Sequence, residues 1–156
     1  MASSVFIETS IPSAYVSNRA DASSFHRRDA TQLWWREQLP FYSPFVSDGV
    51  IDELNQGDWA GKRESLALVE PLERLAVDSE VTAVAQRYVD ERLVPHGLGG
   101  DALHLATACI YEIDFLLSWN VRHLANPNKQ EHLTLINRRL GLLTPLIVTH
   151  EMLRLE

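Results

Sequence analysis

The segment 99–120 restricts the fold more than any other, because a helical pattern passes directly into an uninterrupted apolar run. A glycine pair precedes Asp101, which opens a helix whose apolar residues recur at helical spacing: Leu105, Ala108 and Cys109. Residues 115–117 are then consecutively apolar, which is typical of a strand buried on both faces of a parallel sheet. Asn120 follows at the carboxyl edge of that strand, where open α/β sheets bind their ligands. We therefore expect Asp101 and Asn120 to lie close together.

The remaining chain alternates strand-like and helix-like segments. Further strands are predicted at 5–7, 41–46, 72–77 and 145–149, and further helices at 30–39, 48–56, 58–70, 79–94 and 132–141. Ser47 is a predicted N-cap, and the prolines predict a turn at Pro12, an edge or bulge at Pro44, a helix end at Pro95 and a break at Pro127. This alternation predicts a single domain over residues 1–156, an α/β three-layer sandwich with a central parallel sheet of about five strands.

The composition narrows the class of protein. With 14 Lys and Arg against 21 Asp and Glu, the formal charge of −7 argues against binding nucleic acid through the overall field of the protein. A nuclease stays possible, because divalent cations can supply the positive charge that phosphate requires. The single cysteine, Cys109, is expected in the core, and no apolar run is long enough for a membrane span. We expect a cytoplasmic protein without a membrane association.

Acidic and amide side chains fall at the ends of the predicted strands. Glu8 directly follows the first strand, Glu53 lies on the helix after the second, Asp101 opens the helix before the fourth, and Asn120 follows the fourth. All four can face one edge of the sheet. Oxygen ligands without clusters of Cys or His favour a hard ion, Mg²⁺ or Mn²⁺, which can activate water and stabilise charge on a phosphodiester.

Four short motifs contain these acidic and amide residues: FIETS at 6–10, VSDGVIDEL at 46–54, GGDALHLATA at 99–108 and LLSWNVRHLANP at 116–127. In their order and spacing they resemble the motifs of the PIN-domain ribonucleases, which include the VapC-like toxins of bacterial VapBC pairs. The ETS and WN motifs indicate a sub-branch of this family. The resemblance implies a PIN-like fold, hydrolysis of single-stranded or loop RNA with Mg²⁺ or Mn²⁺, a small antitoxin protein as partner, and a homodimer.

The resemblance also implies roles for particular residues. Glu8 takes the place of the usual first Asp, Glu53 is the second acid, Asp101 is the third, and Asn120 stands where many relatives have a fourth Asp. These four are the expected catalytic and metal-binding residues. Asn120 keeps an oxygen ligand but removes a negative charge.

Several polar residues have two interpretations each. Thr9 and Ser10 bind a metal-bound water or phosphate, or they cap a helix; Arg122 binds substrate phosphate, or it is a surface residue. His104, one turn after Asp101, is favoured as a hydrogen-bonded core histidine, and Asp114 as a solvated loop residue.

Two other functions remain as alternatives to an active ribonuclease. One is a PIN-derived module that binds RNA or protein with weak or no nuclease activity. The other, a flavodoxin-like binder of nucleotide or flavin, is disfavoured because no glycine-rich phosphate loop follows the first strand.

Overall fold

A computed structural model of the chain describes residues 2–94 and 100–155. Its strands are β1 (Ser4–Ile7), β2 (Ser43–Ser47), β3 (Glu73–Leu75), β4 (Phe115–Leu117) and β5 (Leu146–Val148). Its helices are α1 (Ser10–Tyr15), α2 (Ala22–Glu37), α3 (Asp48–Asn55), α4 (Lys62–Val69), α5 (Ser79–Asp90), α6 (Asp101–Ile110) and α7 (Pro127–Leu140), with a 3₁₀ turn at Leu39–Phe41. No helix in these described ranges is long and apolar enough to cross a membrane.

The five strands form one parallel sheet in the order β3-β2-β1-β4-β5, which confirms the predicted α/β architecture. The chain moves outward from β1 to β3 on one side and continues with β4 and β5 on the other. The strand order therefore reverses between β1 and β4, and the carboxyl ends of these two strands border the crevice where such sheets bind ligands. This order differs from the 2-1-3-4-5 order of flavodoxin-like folds, which removes that alternative.

The central strands are buried as the uninterrupted apolar runs predict. Val5, Phe6 and Ile7 of β1 have no exposed surface, and Leu116 of β4 is equally buried. Cys109 of α6 packs against this core with no exposed surface, so its predicted place in the core is confirmed. Burial at this level, at roughly 25 cal/mol per Å² of apolar surface, fixes the positions of the strand ends that carry the polar residues.

Two prolines behave differently from the sequence prediction. Pro12 lies in the first turn of α1 and not in a non-helical turn, because a helix tolerates proline where the missing N–H has no helical acceptor. Pro44 lies on β2, which is an interior strand and not an edge. The Ser43 N–H donates to Ser3 on the β1 side, so the next backbone nitrogen, that of Pro44, faces the β3 side. The β2–β3 pairing begins only at Phe45, so no β3 residue lies opposite Pro44 to need its missing N–H.

Helix boundaries account for the other differences. α2 begins at Ala22, well before the predicted residue 30, because the Asp21 carboxylate caps it by accepting the Ser24 N–H. α7 begins at Pro127, where proline is suited to the first helical position, and the predicted break there is wrong. α5 ends at Asp90; Pro95, predicted to end it, and Gly99, predicted to lead into α6, lie outside the described residues.

Candidate active site at the reversal of strand order

The crevice between β1 and β4 collects the polar residues that follow these two strands. β1 and β4 pair with Ile7 opposite Leu117, so the residues after them, Glu8 and Ser118, leave the sheet side by side. The Glu8 N–H continues the pairing by donating to the Leu117 carbonyl at 3.2 Å. The segments that begin at Glu8 and Ser118, far apart in the sequence, therefore lie together at the carboxyl edge of the sheet.

The Glu8 carboxylate accepts hydrogen bonds from neighbouring protein groups, and Glu8 as a residue is only 5% exposed. Its Oε2 accepts the Ser10 N–H at 3.0 Å, the Ser118 hydroxyl at 2.7 Å and a very short hydrogen bond from the Ser10 hydroxyl. Ser10 in turn accepts the Trp119 N–H at 2.8 Å, and Ser118 accepts the Asn120 N–H at 2.9 Å. These bonds tie the end of β1 to the segment that follows β4.

Glu53 reaches the same edge from α3. Ser47 caps this helix by accepting the Val50 N–H, as predicted, and Val50 and Leu54 bury its inner face. The Glu53 Oε1 accepts the Thr9 hydroxyl at 2.8 Å and makes a very short contact with His104 Nε2. His104 is 1% exposed, and its other ring nitrogen, Nδ1, has no partner among the described residues.

Buried His104 and half-buried Glu53 form an ion pair. Burial alone would raise the pKa of Glu53, but the hydrogen bond and charge of His104, together with the Thr9 hydroxyl, lower it below its ordinary value. Burial alone would lower the pKa of His104, but the hydrogen bond that it donates to Glu53 and the negative charges of Glu8, Glu53 and Asp101 raise it. The two directions agree, so His104 supplies a positive charge to a group of three carboxylates.

Gly100 allows the backbone to approach this ion pair closely. A Cβ at residue 100 would lie 2.6 Å from Glu53 Oε1 and 2.8 Å from His104 Nε2, so any side chain here would force the ion pair to shift. Glycine at this position therefore suits the present placement of Glu53 and His104.

Asp101 and Asn120 do meet, as the sequence predicts. The Asn120 side-chain N–H donates to both carboxylate oxygens of Asp101, at 3.2 and 3.4 Å, while its Oδ1 accepts the His123 N–H at 3.1 Å. Burial raises the pKa of Asp101, and the negative charge of Glu8 raises it further; the charges of His104 and His123 oppose this rise. Asp101 is the carboxylate of the group with the fewest strong internal partners.

The donor chemistry suits a hard divalent ion, but the side chains are not arranged as a ready-made metal site. The available ligands are carboxylate and amide oxygens, which Mg²⁺ and Mn²⁺ prefer. In residues 2–94 and 100–155, however, no three Asp, Glu, His or Cys side chains form a group that could hold a metal ion. Glu8 is held by serine donors and Glu53 by His104, so in this arrangement their charge is offset by the protein itself.

The remaining candidate residues divide between this edge and other surfaces. Thr9 and Ser10 lie at the site, but their hydroxyls donate to Glu53 and Glu8, and Thr9 makes no side-chain cap. Arg122 is exposed two residues after Asn120. Asp114 lies at the opposite, amino end of β4, where it accepts the Ser4 N–H at 2.9 Å, so it does not replace a fourth acid.

Two contributors to the site do not emerge from the sequence pattern. His104 was expected in the core, and it is there, but its pairing with Glu53 joins residues from separate helices. Ser118 is indistinguishable in sequence from any serine after a strand. Its only local signal is its place between the apolar run of β4 and Asn120.

The comparisons with known proteins give a likeness of fold to solved VapC and VapBC structures. No known family model matches the sequence, and a search of curated proteins finds no match. Among solved structures, VapC20 of Mycobacterium tuberculosis, a sarcin–ricin loop cleaving toxin, superimposes with a TM-score of 0.57 at 18% identity, covering 76% of this chain and 92% of that one.

Two toxin–antitoxin structures show the same likeness. VapBC-1 of nontypeable Haemophilus influenzae gives a TM-score of 0.57 at 14% identity, covering 95% of this chain and 98% of that chain. DNA-bound VapBC of Salmonella typhimurium gives 0.52 at 15% identity, covering 96% and 99%. At these identities the likeness is one of fold, and it confirms the PIN-like architecture; the sub-branch defined by the ETS and WN motifs stays a prediction.

Proposed function

We propose that this chain is a Mg²⁺- or Mn²⁺-dependent endoribonuclease and the toxin component of a toxin–antitoxin pair. The observation that carries the proposal is the convergence of Glu8, Glu53 and Asp101 at the reversal of strand order, where Asp101 is electrostatically coupled to both glutamates. Such a group of acids at the carboxyl edge of a parallel sheet has the chemistry of a divalent-ion site. RNA is the proposed substrate.

Each residue has a defined part in this proposal. Asp101 and Glu53, with the amide oxygen of Asn120, would hold the ion, and Glu8 would fix the ends of β1 and β4 around it. A bound divalent ion supplies positive charge to the phosphodiester oxygens and makes water a better nucleophile.

Cleavage of a loop-containing RNA with and without Mn²⁺ tests the proposal. We expect cleavage with Mn²⁺, loss of cleavage in EDTA, and loss in Asp101→Asn. Asp52→Asn is the matched control, because Asp52 is an exposed acid beside Glu53 on α3 and should be dispensable. Cleavage that persists in EDTA and in Asp101→Asn would refute the assignment.

The partner is proposed to be a small antitoxin protein, since VapBC complexes share this fold. A small protein encoded beside this chain should copurify with it and relieve any growth arrest that its expression causes. Failure of every neighbouring small protein to do so would remove the toxin assignment while leaving the nuclease assignment intact. The homodimer implied by the family resemblance is part of the same proposal.

A binding module with little turnover is the second candidate, and the internal neutralisation of the acids favours it. Glu53 is paired with His104, and position 120 carries an amide where a fourth acid would add charge. In this case the wild-type protein binds RNA or protein without cleaving RNA, and Asn120→Asp creates metal binding and activity. An active wild-type enzyme that Asn120→Asp does not improve excludes this candidate.

A further inference from the structure

A cationic cleft lies beside the acidic edge, between α1 and the beginning of α2. It has a volume of about 250 Å³, and its lining includes Ser13, Ser17, Arg19, Ser24, Arg27 and Trp119. Ser10 also borders the cleft, and the same serine holds the Glu8 carboxylate, so the two sites share a wall.

The two arginines of the cleft have guanidinium groups available to a ligand. Arg19 makes only a loose contact with Asp21, at 3.7 Å, and its side chain is 78% exposed. The Arg27 guanidinium carbon lies 5.6 Å from the centre of the Trp119 ring, and no carboxylate of the described residues lies within ion-pair distance of it. Ser17 accepts the Arg19 N–H, which leaves the proton of its own hydroxyl free to donate.

Two histidines lie beside the same tryptophan. His150 lies 4.6 Å from the Trp119 ring centre and His26 lies 6.3 Å from it. Burial lowers the pKa of His150, and the positive charges of His26 and Arg154 lower it further, against the charge of Glu151. Burial therefore favours neutral His150, and the charge that the cleft offers to an anion comes from Arg19 and Arg27.

We propose that this cleft binds a backbone phosphate of single-stranded RNA, next to the phosphate at the acidic edge. The inference rests on the proposed ribonuclease function for the identity of the ligand. Carboxylates at the edge repel the phosphates that flank a cleavage site, so a strand needs an adjacent cationic position to stay bound. Arg27 and Arg19 donate charge-assisted hydrogen bonds to the phosphate, and Ser17 donates from the same wall.

One acid opposes this binding. The Asp21 carboxylate contacts two residues that line the cleft: it lies 3.7 Å from Arg19, and it accepts hydrogen bonds from the Ser24 N–H and hydroxyl as the cap of α2. These bonds lower the pKa of Asp21 and keep it negatively charged. Replacing it with asparagine keeps a good N-cap and removes the repulsion, which gives the cleft a variant that should bind RNA more tightly.

Fluorescence anisotropy with a short oligouridine tests the cleft in a buffer with EDTA, which prevents the proposed metal-dependent cleavage. We expect Arg27→Gln to bind about tenfold more weakly and to reduce the salt dependence by about 0.7 in the logarithmic slope, while Arg27→Lys retains most affinity. Arg36→Gln is the matched control on α2, because Arg36 is exposed and pairs only with its neighbour Glu37. Asp21→Asn should tighten binding.

The results separate this inference from the proposed function. Two results would refute the cleft as an RNA-binding site. One is an equal loss of affinity in Arg27→Gln and Arg36→Gln, and the other is displacement of the oligonucleotide by polyglutamate as readily as by RNA. In cleavage assays Arg27→Gln should raise KM and leave kcat unchanged; cleavage with an unchanged KM refutes the cleft and keeps the nuclease. If RNA binding depends on Arg27 but the protein cleaves no RNA, the proposed phosphate site stands and the proposed nuclease activity is refuted.

Discussion

The Glu53–His104 ion pair provides the sharpest test of how this protein holds three carboxylates together. At an effective dielectric constant near 20, unit charges about 4 Å apart attract by about 4 kcal/mol. Desolvation offsets part of this, since His104 is 1% exposed and Glu53 is 31% exposed at its side chain. We expect a coupling free energy of about 1–3 kcal/mol between the two residues.

Removing only His104 should be more costly than removing the pair. His104→Gln leaves Glu53 without its cation and also removes the attraction to Glu8 and Asp101, so we expect it to lower the free energy of unfolding by about 3 kcal/mol. Glu53→Gln in the same background should then cost little or restore part of the loss. His132→Gln on α7 serves as the control for replacing a histidine.

The pH dependence of this loss has a defined sign. The pKa of His104 is raised, so its contribution is fully present below its ordinary pKa of 6.5 and disappears as pH rises through the raised value. The pKa of Glu53 is lowered, so its contribution is present above its ordinary 4.5 and disappears as pH falls through the lowered value. Urea unfolding should therefore show the largest difference between wild type and His104→Gln at pH 5–6.5. Additive single-mutant effects, or a difference that grows above neutral pH, would refute the ion pair.

Two further predictions concern the packing of the site, and both are measured by urea unfolding. Gly100→Ala places a Cβ against Glu53 and His104 and should destabilise the protein by about 1–3 kcal/mol; a neutral result would show that the backbone before α6 is not held against the ion pair. Ser118→Ala removes a donor from the buried Glu8 carboxylate and should cost about 1.5–3 kcal/mol, whereas no loss would mean that Glu8 is not held by this hydroxyl.

The sequence predicts the sheet well because its strands carry strong local signals. The uninterrupted apolar runs of β1 and β4 require burial on both faces, and the cap at Ser47 marks the start of α3. Parallel strands then bring Glu8 and Asn120 to one edge by topology alone. This is why the meeting of Asp101 with Asn120 could be predicted without a structure.

Contacts between distant elements could not be predicted in the same way. The spacing of His104 on α6 predicts a buried residue, but its partner Glu53 comes from α3, and only the packing of the two helices brings them together. α1 is six residues long, too short for local propensity to specify, and its packing against α2 stabilises it. The cationic cleft lies between these two helices, so the sequence could not predict it, because it also depends on how separate elements pack.

The distribution of charge is compatible with the proposed binding of RNA to an acidic chain. A net charge of −7 gives no long-range attraction, and the acids at the edge would repel a strand. Trp119 and Ser10 lie between two groups of charged residues. The carboxylates, partly offset by His104, lie on one side, and Arg19 and Arg27 line the cleft on the other. Binding through so few phosphates should have a shallow salt dependence, at about −0.7 in logarithmic slope per phosphate, unlike that of basic nucleic-acid binders. In the proposed complex, selectivity would then arise from the shape of the RNA at the edge and in the cleft, because the overall field of the protein contributes none.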